Sequence, residues 1–465
     1  MVITQSAATF RIRPIRSIGN LQVSRAIHRQ TRRSIQLRRR GVVRRDVAVT
    51  TGINTPRLLH SIAMAATASR NLDALAAARG LKEALHHLTR DKQWINEKHL
   101  EICRIPSPTF QEQKRAEYML AAFRQLGCDA KIDQAGNVVA FLGPHSPPPY
   151  IALTAHLDTV LAPKSPSDIK TEPDGAFAGP GVSDNGAGLA ALLALVRALK
   201  SAPPLTGLTA SPVFIANVGE EGDGNLCGMR HLCSQSPLAS KIRAFLVLDG
   251  PATRHITNEA LACRRYEITM QGPGGHSWND YGIANPVHAI ARMITIFAEN
   301  LPSPAAAFSF NFGIIEGGVS VNAIPPLART RLDLRSVDEA LLQRQSAVLD
   351  AAVTRACEWE NEKSPLGKVS GRVRETGSRP GGRLPPGSPL LAAIQMVDAH
   401  LGIHSVIDCA STDANIPLSL GIPAISIGAG GSGGGAHTAA EWYKSDGRDA
   451  GLKRLLLLTA ILLSE

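Results

Sequence analysis

Short apolar runs separated by polar or glycine-rich stretches recur along the chain, and their lengths separate strands from helices. Tyr150 to Leu153, Val213 to Val218, Ala244 to Leu248 and Ala424 to Ile427 are each four to six residues of mostly aliphatic side chains, so each reads as a buried strand. Leu72 to Thr89, Leu189 to Lys200 and Leu455 to Leu463 read instead as helices. Between 259 and 375 the pattern changes: strand alternation over Arg265 to Met270 and Ala328 to Leu334 is interleaved with helical spacing over Pro286 to Asn300 and Asp338 to Ala356. Strand, helix, strand and helix over about a hundred residues predict one small α+β domain. It interrupts a larger α/β domain made of 92–258 and 376–465, whose sheet is expected to be mixed, mostly parallel and flanked by helices.

Candidate chemistry gathers at the ends of the large-domain strands. Tyr150 to Leu153 leads into Thr154-Ala155-His156-Leu157-Asp158, where residues two apart share a face, so His156 and Asp158 point the same way. A metal-bound histidine donates its second ring N–H to a carboxylate or carbonyl, and Asp158 is placed to receive it. Asp184 sits in Gly181-Val182-Ser183-Asp184-Asn185-Gly186 just before a helix, where one carboxylate can serve two cations. Val213 to Val218 ends at Glu220-Glu221; neighbouring side chains cannot easily face one point, so one ligates and the other is a general acid and base. Asp249 and His437 complete the series. Ligands bind in open α/β sheets at these strand ends, and a lone histidine or strand-end carboxylate has a bland reading that six such coincidences do not share.

The series His156-x-Asp158, Asp184-Asn185-Gly186, Glu220-Glu221, Asp249 and His437 resembles the dizinc exopeptidase and deacylase family of peptidase T, glutamate carboxypeptidase, aminoacylase and succinyl-diaminopimelate desuccinylase. The resemblance runs from about Trp94 to the C-terminus. It implies that His156 and Asp249 hold one zinc, Glu221 and His437 the other, that Asp184 bridges them, and that Glu220 is the general base, with Asp158 beside it among the catalytic residues. It also implies a cis peptide after Asp184. Cobalt and manganese accept such ligands too. Two cations sharing a water bring its pKa toward neutrality, and the hydroxide attacks an amide carbonyl. Aspartate at 249 matches the aminopeptidase and dipeptidase branch, so the expected substrate is a short peptide, with N-acyl-amino-acid hydrolysis as the alternative and a catalytically silent binding relative behind it.

The insertion resembles that family's lid and dimerisation domain, assigned to 259–375. There the counterpart of His276, in Gly274-Gly275-His276-Ser277, reaches into the partner's site in a homodimer. Asn322 and Arg335 match lid positions that touch substrate, although a strand arginine also serves in structural ion pairs. Ser411-Thr412-Asp413-Ala414-Asn415 matches a segment near the second metal, and Glu441, four residues after His437, is placed to steady it.

Composition changes the picture in one place. The net charge of +11 lies almost wholly in residues 1–63, which hold 13 arginines and one acid, Asp46, while the remainder is near neutral. That leader reads as a disordered extension, with a transit-like peptide, a basic arm and a mistaken start upstream of Met64 as its alternatives. No aromatic side chains are interleaved with these arginines to stack bases, so no nucleic-acid partner is expected. Leu455 to Leu463 is too short to span a bilayer, so no membrane association is expected either. Gly428-Ala429-Gly430-Gly431-Ser432-Gly433 satisfies a dinucleotide fingerprint only formally, because no helix opens at its third glycine. Seven cysteines without C-x-x-C spacing read as free thiols in a cytoplasmic protein.

Overall fold

A computed structural model of the chain describes residues 72–144 and 146–465. The arginine-rich stretch 1–63 and Met64 lie outside the described residues. The first half of the larger domain runs α1 (Arg79–Arg90), α2 (Lys92–Cys103), α3 (Gln113–Gln125), β1 (Asp129–Ile132), β2 (Val138–Phe141), β3 (Tyr150–His156), α4 (Gly186–Ser201), β4 (Ser211–Asn217), α5 (Cys227–Ser234), β5 (Ile242–Leu248) and β6 (His255–Ala260). The insertion follows as β7 (Ala262–Gln271), α6 (Pro286–Glu299), β8 (Phe308–Gly317), β9 (Leu327–Ser336), α7 (Glu339–Lys363) and β10 (Ser370–Arg379). The chain then returns through α8 (Pro389–Leu401), β11 (Val406–Ala410), β12 (Ala424–Ile427) and α9 (Arg448–Ser464).

The large sheet is nine-stranded, in the order β1-β2-β4-β3-β5-β12-β6, with β11 and the short strand Gly382–Arg383 also paired to β6. Its centre, β4-β3-β5-β12, is parallel, and antiparallel strands flank it on both sides. Every residue of β3 and β4 is buried, which is why both read as continuous apolar runs and not as alternations. Helix α4 is buried along most of its length, and its N-terminus presses close to β5: a Cβ on Gly188 would stand 2.7 Å from the Leu248 carbonyl oxygen. Leu81, Ala84 and Leu88 of α1 join the same core, so the larger domain starts upstream of residue 92. Within it, buried Arg454 of α9 makes a paired bond, 2.6 and 2.7 Å, to Asp398 of α8.

The insertion has its own core. Its sheet is fully antiparallel, in the order β8-β9-β7-β10, and α6 and α7 pack against it through Ile290, Met293, Phe297, Leu342, Leu349, Ile268, Met270, Leu332 and Leu334. Two of its strands carry weak signals. Residues Phe308–Gly317 form an edge strand that alternates only through Phe308, Phe310 and Phe312 and runs exposed beyond them, and Ser370–Arg379 is polar on both faces.

Candidate metal centre

Parallel strands bring their C-terminal ends to one edge, and the predicted ligands collect there. His156 closes β3, Asp249 follows β5, and Glu220 and Glu221 follow β4 after a left-handed turn at Gly219 (φ +66°). His437 lies in the loop after β12. Asp184 is delivered by the turn ahead of α4, where the Asn185 side chain accepts from Gly188 N–H (3.1 Å) and donates to the Leu248 carbonyl (2.8 Å). That pair of bonds ties the Asp184 turn to the strand end carrying Asp249. The Asp184–Asn185 peptide is cis, as the resemblance implied.

The side chains form overlapping groups: His156, Asp184 and Asp249; Asp184, Glu221 and His437; and His156, Glu220 and Glu221, each with donor atoms within 4.8 Å of one another. His156 Nε2 lies 3.0 Å from Asp184 Oδ1 and 3.9 Å from Asp249 Oδ1. His437 Nε2 lies 3.1 Å from Asp184 Oδ2 and 2.9 Å from Glu221 Oε1. Asp184 thus turns one oxygen to each histidine. Burial, then the charge of Asp184, pushes Asp249 up to about 7, and burial lifts Glu220 well above the usual carboxylate range against the pull of Arg379. His437 is drawn up to about 10 by its bonds to Asp184 and Glu221, and His156 is raised by Asp158 and Asp184 despite its burial. Carboxylates packed this tightly need positive charge among them. Two imidazoles and several carboxylates, with Asp184 and Glu221 each common to two groups, fit a pair of divalent cations of the zinc, cobalt or manganese kind.

Beneath the ligands lies a fully buried support. Asp158 accepts the His156 Nδ1–H through its backbone carbonyl (3.0 Å), fixing Nε2 toward Asp184. Its carboxylate lies close to the same ring, with Oδ1 3.5 Å from Nδ1, and serves the glutamates as well: Oδ1 accepts from Glu220 N–H (3.0 Å), and Oδ2 from Glu221 N–H (2.8 Å) and the Thr109 hydroxyl (2.9 Å). Asp158 therefore sets both histidine and glutamates. Glu441 steadies a different element from the one expected. Its carboxylate accepts from Gly181 (2.8 Å), Ser183 (2.7 Å) and Asp184 (2.8 Å) backbone N–H groups, so it holds the Asp184 turn and not His437.

Two features were not read from the sequence. Arg379, at the end of β10, donates Nη1 to Glu220 Oε1 (2.9 Å) and Nη2 to the Glu220 carbonyl. Its signal was slight: an arginine before Pro380-Gly381-Gly382, where the chain re-enters the larger domain. Asn217, the last residue of β4, donates to Asp413 Oδ2 (2.6 Å), and both are fully buried.

His276 joins none of the candidate metal groups among the described residues. His276 and Asn322 share a short ribbon in which Gly275 and His276 pair with Ile324 and Ala323, and both are exposed. His276 Nδ1 accepts from Trp278 N–H (3.2 Å) and Asn279 N–H (3.3 Å), so the neutral ring carries its proton on Nε2. Arg335 is ion-paired to Asp333 at 2.7 Å. In the row of the small sheet that holds Arg335, Cys263 and Arg379, it is Arg379 that reaches Glu220.

Residues 137–284 match the profile of Peptidase family M28, and residues 263–361 match that of the Peptidase dimerisation domain. A tripeptidase from Staphylococcus aureus superposes with a TM-score of 0.66 at 21% identity, over 80% of this chain and 99% of that one. The chain thus carries matches to two peptidase profiles and shares the fold of a tripeptidase. The aminopeptidase PepT of Bacillus cereus (TM-score 0.63, 19% identity, 79% and 98% covered) and the di-peptidase Dug1p of Saccharomyces cerevisiae (0.62, 14%, 83% and 99%) share its fold. In sequence it is similar to a probable carboxypeptidase of Uncinocarpus reesii, 27% identical over 46% of this chain and 52% of that protein. It is also similar to a putative [LysW]-lysine/[LysW]-ornithine hydrolase of Pyrobaculum aerophilum, 26% identical over 50% and 64%. The chain spans about half the length of the curated relatives it matches. No helix among the described residues is long and apolar enough to cross a membrane.

Proposed function

We propose that this chain is a metal-dependent exopeptidase acting on short peptides in the cytoplasm, with two zinc ions per chain. The observation that carries the reading is Asp184, one oxygen toward each histidine, with Glu220 in the same cluster. His156, Asp249 and Asp184 would hold one cation, and His437, Glu221 and Asp184 the other. When bound, the metal pair supplies a Lewis acid for the scissile carbonyl and lowers the pKa of a water.

The protein's own part is proton handling and orientation. Arg379 engages Glu220 Oε1, so Oε2 is the atom that receives the proton of the attacking water and returns it to the leaving amine. Burial raises the affinity of Glu220 for that proton, as the shuttle requires. Asp158 keeps Glu220 and Glu221 in register by holding their backbone N–H groups. His276, with its proton on Nε2 and its ribbon exposed, is suited to donate to the developing oxyanion in the partner's site of a homodimer, with Asn322 beside it.

The likeness in sequence to a [LysW]-lysine hydrolase of Deinococcus radiodurans, 32% identical over 32% of this chain and 38% of that protein, favours the second reading, hydrolysis of an acylated amino acid at the same centre. A panel of dipeptides, tripeptides, N-blocked peptides and N-acyl amino acids separates the two. A required free N-terminus is expected; turnover of N-blocked substrates alone would transfer the assignment to the deacylase.

A further inference from the structure

Helices α6 and α7 cover one face of the small sheet; the register leaves the other face charged. One end of that face abuts the metal centre. There Arg379 pairs with Glu220, and Arg265 donates Nη1 to the Gly222 carbonyl beside Glu221. Two and four residues further along β7, about 7 and 14 Å at the rise of a strand, stand two rows of arginines. Glu267 lies between Arg331 and Arg374, and Thr269 between Arg329 and Arg372. Glu267 takes Arg374 at 2.9 Å, Arg331 at 3.5 Å and Arg329 at 3.8 Å, while Arg372 pairs with no carboxylate among the described residues. Counting Glu316, opposite Arg329 on β8, these rows hold four guanidiniums and two carboxylates. The side chains of Arg331 and Arg374 are 47% and 55% exposed, and a cleft runs between Glu267, Gln271, Ser370 and Arg372.

We propose that this face binds the acidic portion of the substrate, a run of Asp or Glu residues laid along β7 and β10 while the bond to be cut sits at the metal centre. The proposal rests on the hydrolytic reading above and adds a substrate class to it. Guanidinium groups meet carboxylates in a bidentate fork, and an acidic strand supplies the negative charge that Glu267 and Glu316 leave short. A second copy docked two-fold through this face would set arginines against arginines. A single-stranded nucleic acid would find no aromatic side chain in these rows on which to stack a base.

The test is a fluorescence-anisotropy titration of the full chain with labelled hexaglutamate, hexaglutamine and a six-nucleotide RNA. Arg372→Glu/Arg374→Glu is the variant, and Arg372→Gln/Arg374→Gln serves if charge reversal disturbs folding, checked by thermal midpoint. Hexaglutamate is expected to bind the native chain and to weaken at least about tenfold in the variants, as loss of two to four exposed charge pairs implies. For a cleavable peptide extended by three glutamates, KM should be at least about fivefold lower than for its glutamine counterpart, and the two should converge in the variants. Equal binding of hexaglutamate and hexaglutamine, RNA binding tighter than hexaglutamate through the same arginines, or a change of oligomeric state in the variants would each overturn the proposal. Hexaglutamate binding that depends on the arginines in a chain that hydrolyses nothing would remove the hydrolytic reading and leave the surface as an acidic-peptide site.

Discussion

Glu441 gives the sharpest test of how the site is held. It makes three bonds of 2.7 to 2.8 Å to backbone N–H groups of residues 181, 183 and 184, and it is buried. Bonds to a charged acceptor contribute about 1.5–3 kcal/mol each. Burial of the carboxylate, which raises its pKa, offsets part of that gain. Glu441→Ala should therefore cost roughly 3–5 kcal/mol and leave three N–H groups without their acceptor. Glu441→Gln keeps one oxygen for two of them and turns an amide NH2 toward the third, for a loss of about 1–3 kcal/mol. Because the bonds end on the turn that carries Asp184, metal affinity should fall about 10–100-fold in either variant, the usual scale for a partner one step removed from a ligand. Urea unfolding of the metal-free chain measures the first effect, and competition with a chromophoric chelator measures the second. Native stability and affinity in Glu441→Ala would refute the assignment of Glu441 as the anchor of that turn.

Three further outcomes are expected. Glu220→Gln should retain its metal, by elemental analysis, yet lose at least about a hundredfold in kcat; a variant with kcat near native would remove Glu220 from the proton path. His99 is buried against Phe177 and Tyr443 with Nε2 on the Val182 carbonyl, and burial, then the charge of Arg448, holds it down at about 3. The unfolded chain takes up that proton below about pH 6.5 and the folded chain does not, so stability should fall by about 1.4 kcal/mol per pH unit from 6.5 toward 3. Denaturant titrations at pH 6.5 and 5 should differ by roughly 2 kcal/mol more in the native protein than in His99→Gln, and equal differences would contradict this. Finally, mixing inactive His276→Ala with inactive Glu220→Gln should restore activity if each site borrows the partner's histidine; no recovery in mixed dimers confirmed by mass would place His276 outside the partner's site.

The cluster of candidate ligands was legible because His156, Glu221, Asp249 and His437 each close or follow an apolar run that reads as a buried strand, parallel strands put such positions on one edge, and Asp184 stands in a turn just ahead of a helix. His156, Asp184, Glu221, Asp249 and His437 could therefore be collected without knowing strand order. What lay beyond reach depended on contacts between distant segments. Arg379 closes a strand with polar residues on both faces, so no periodicity marked β10, and its bond to Glu220 spans 159 positions. Glu441 was recognised as a support, but whether it braced His437 or the turn 257 positions away could be settled only by the fold. In the insertion, the helices were clear from their spacing, whereas β8, an edge strand, alternates only through Phe308, Phe310 and Phe312 and is exposed beyond them. The ribbon that sets His276 beside Asn322 joins residues almost fifty positions apart across a helix and a strand.

The most direct test of the central claim is titration of the chelator-stripped protein with zinc while following hydrolysis of a tripeptide with a free N-terminus. Activity should be absent without metal and should rise to a plateau at two zinc ions per chain. Hydrolysis that persists after chelation, or two bound ions with no cleavage of any peptide or acyl-amino acid, would contradict it.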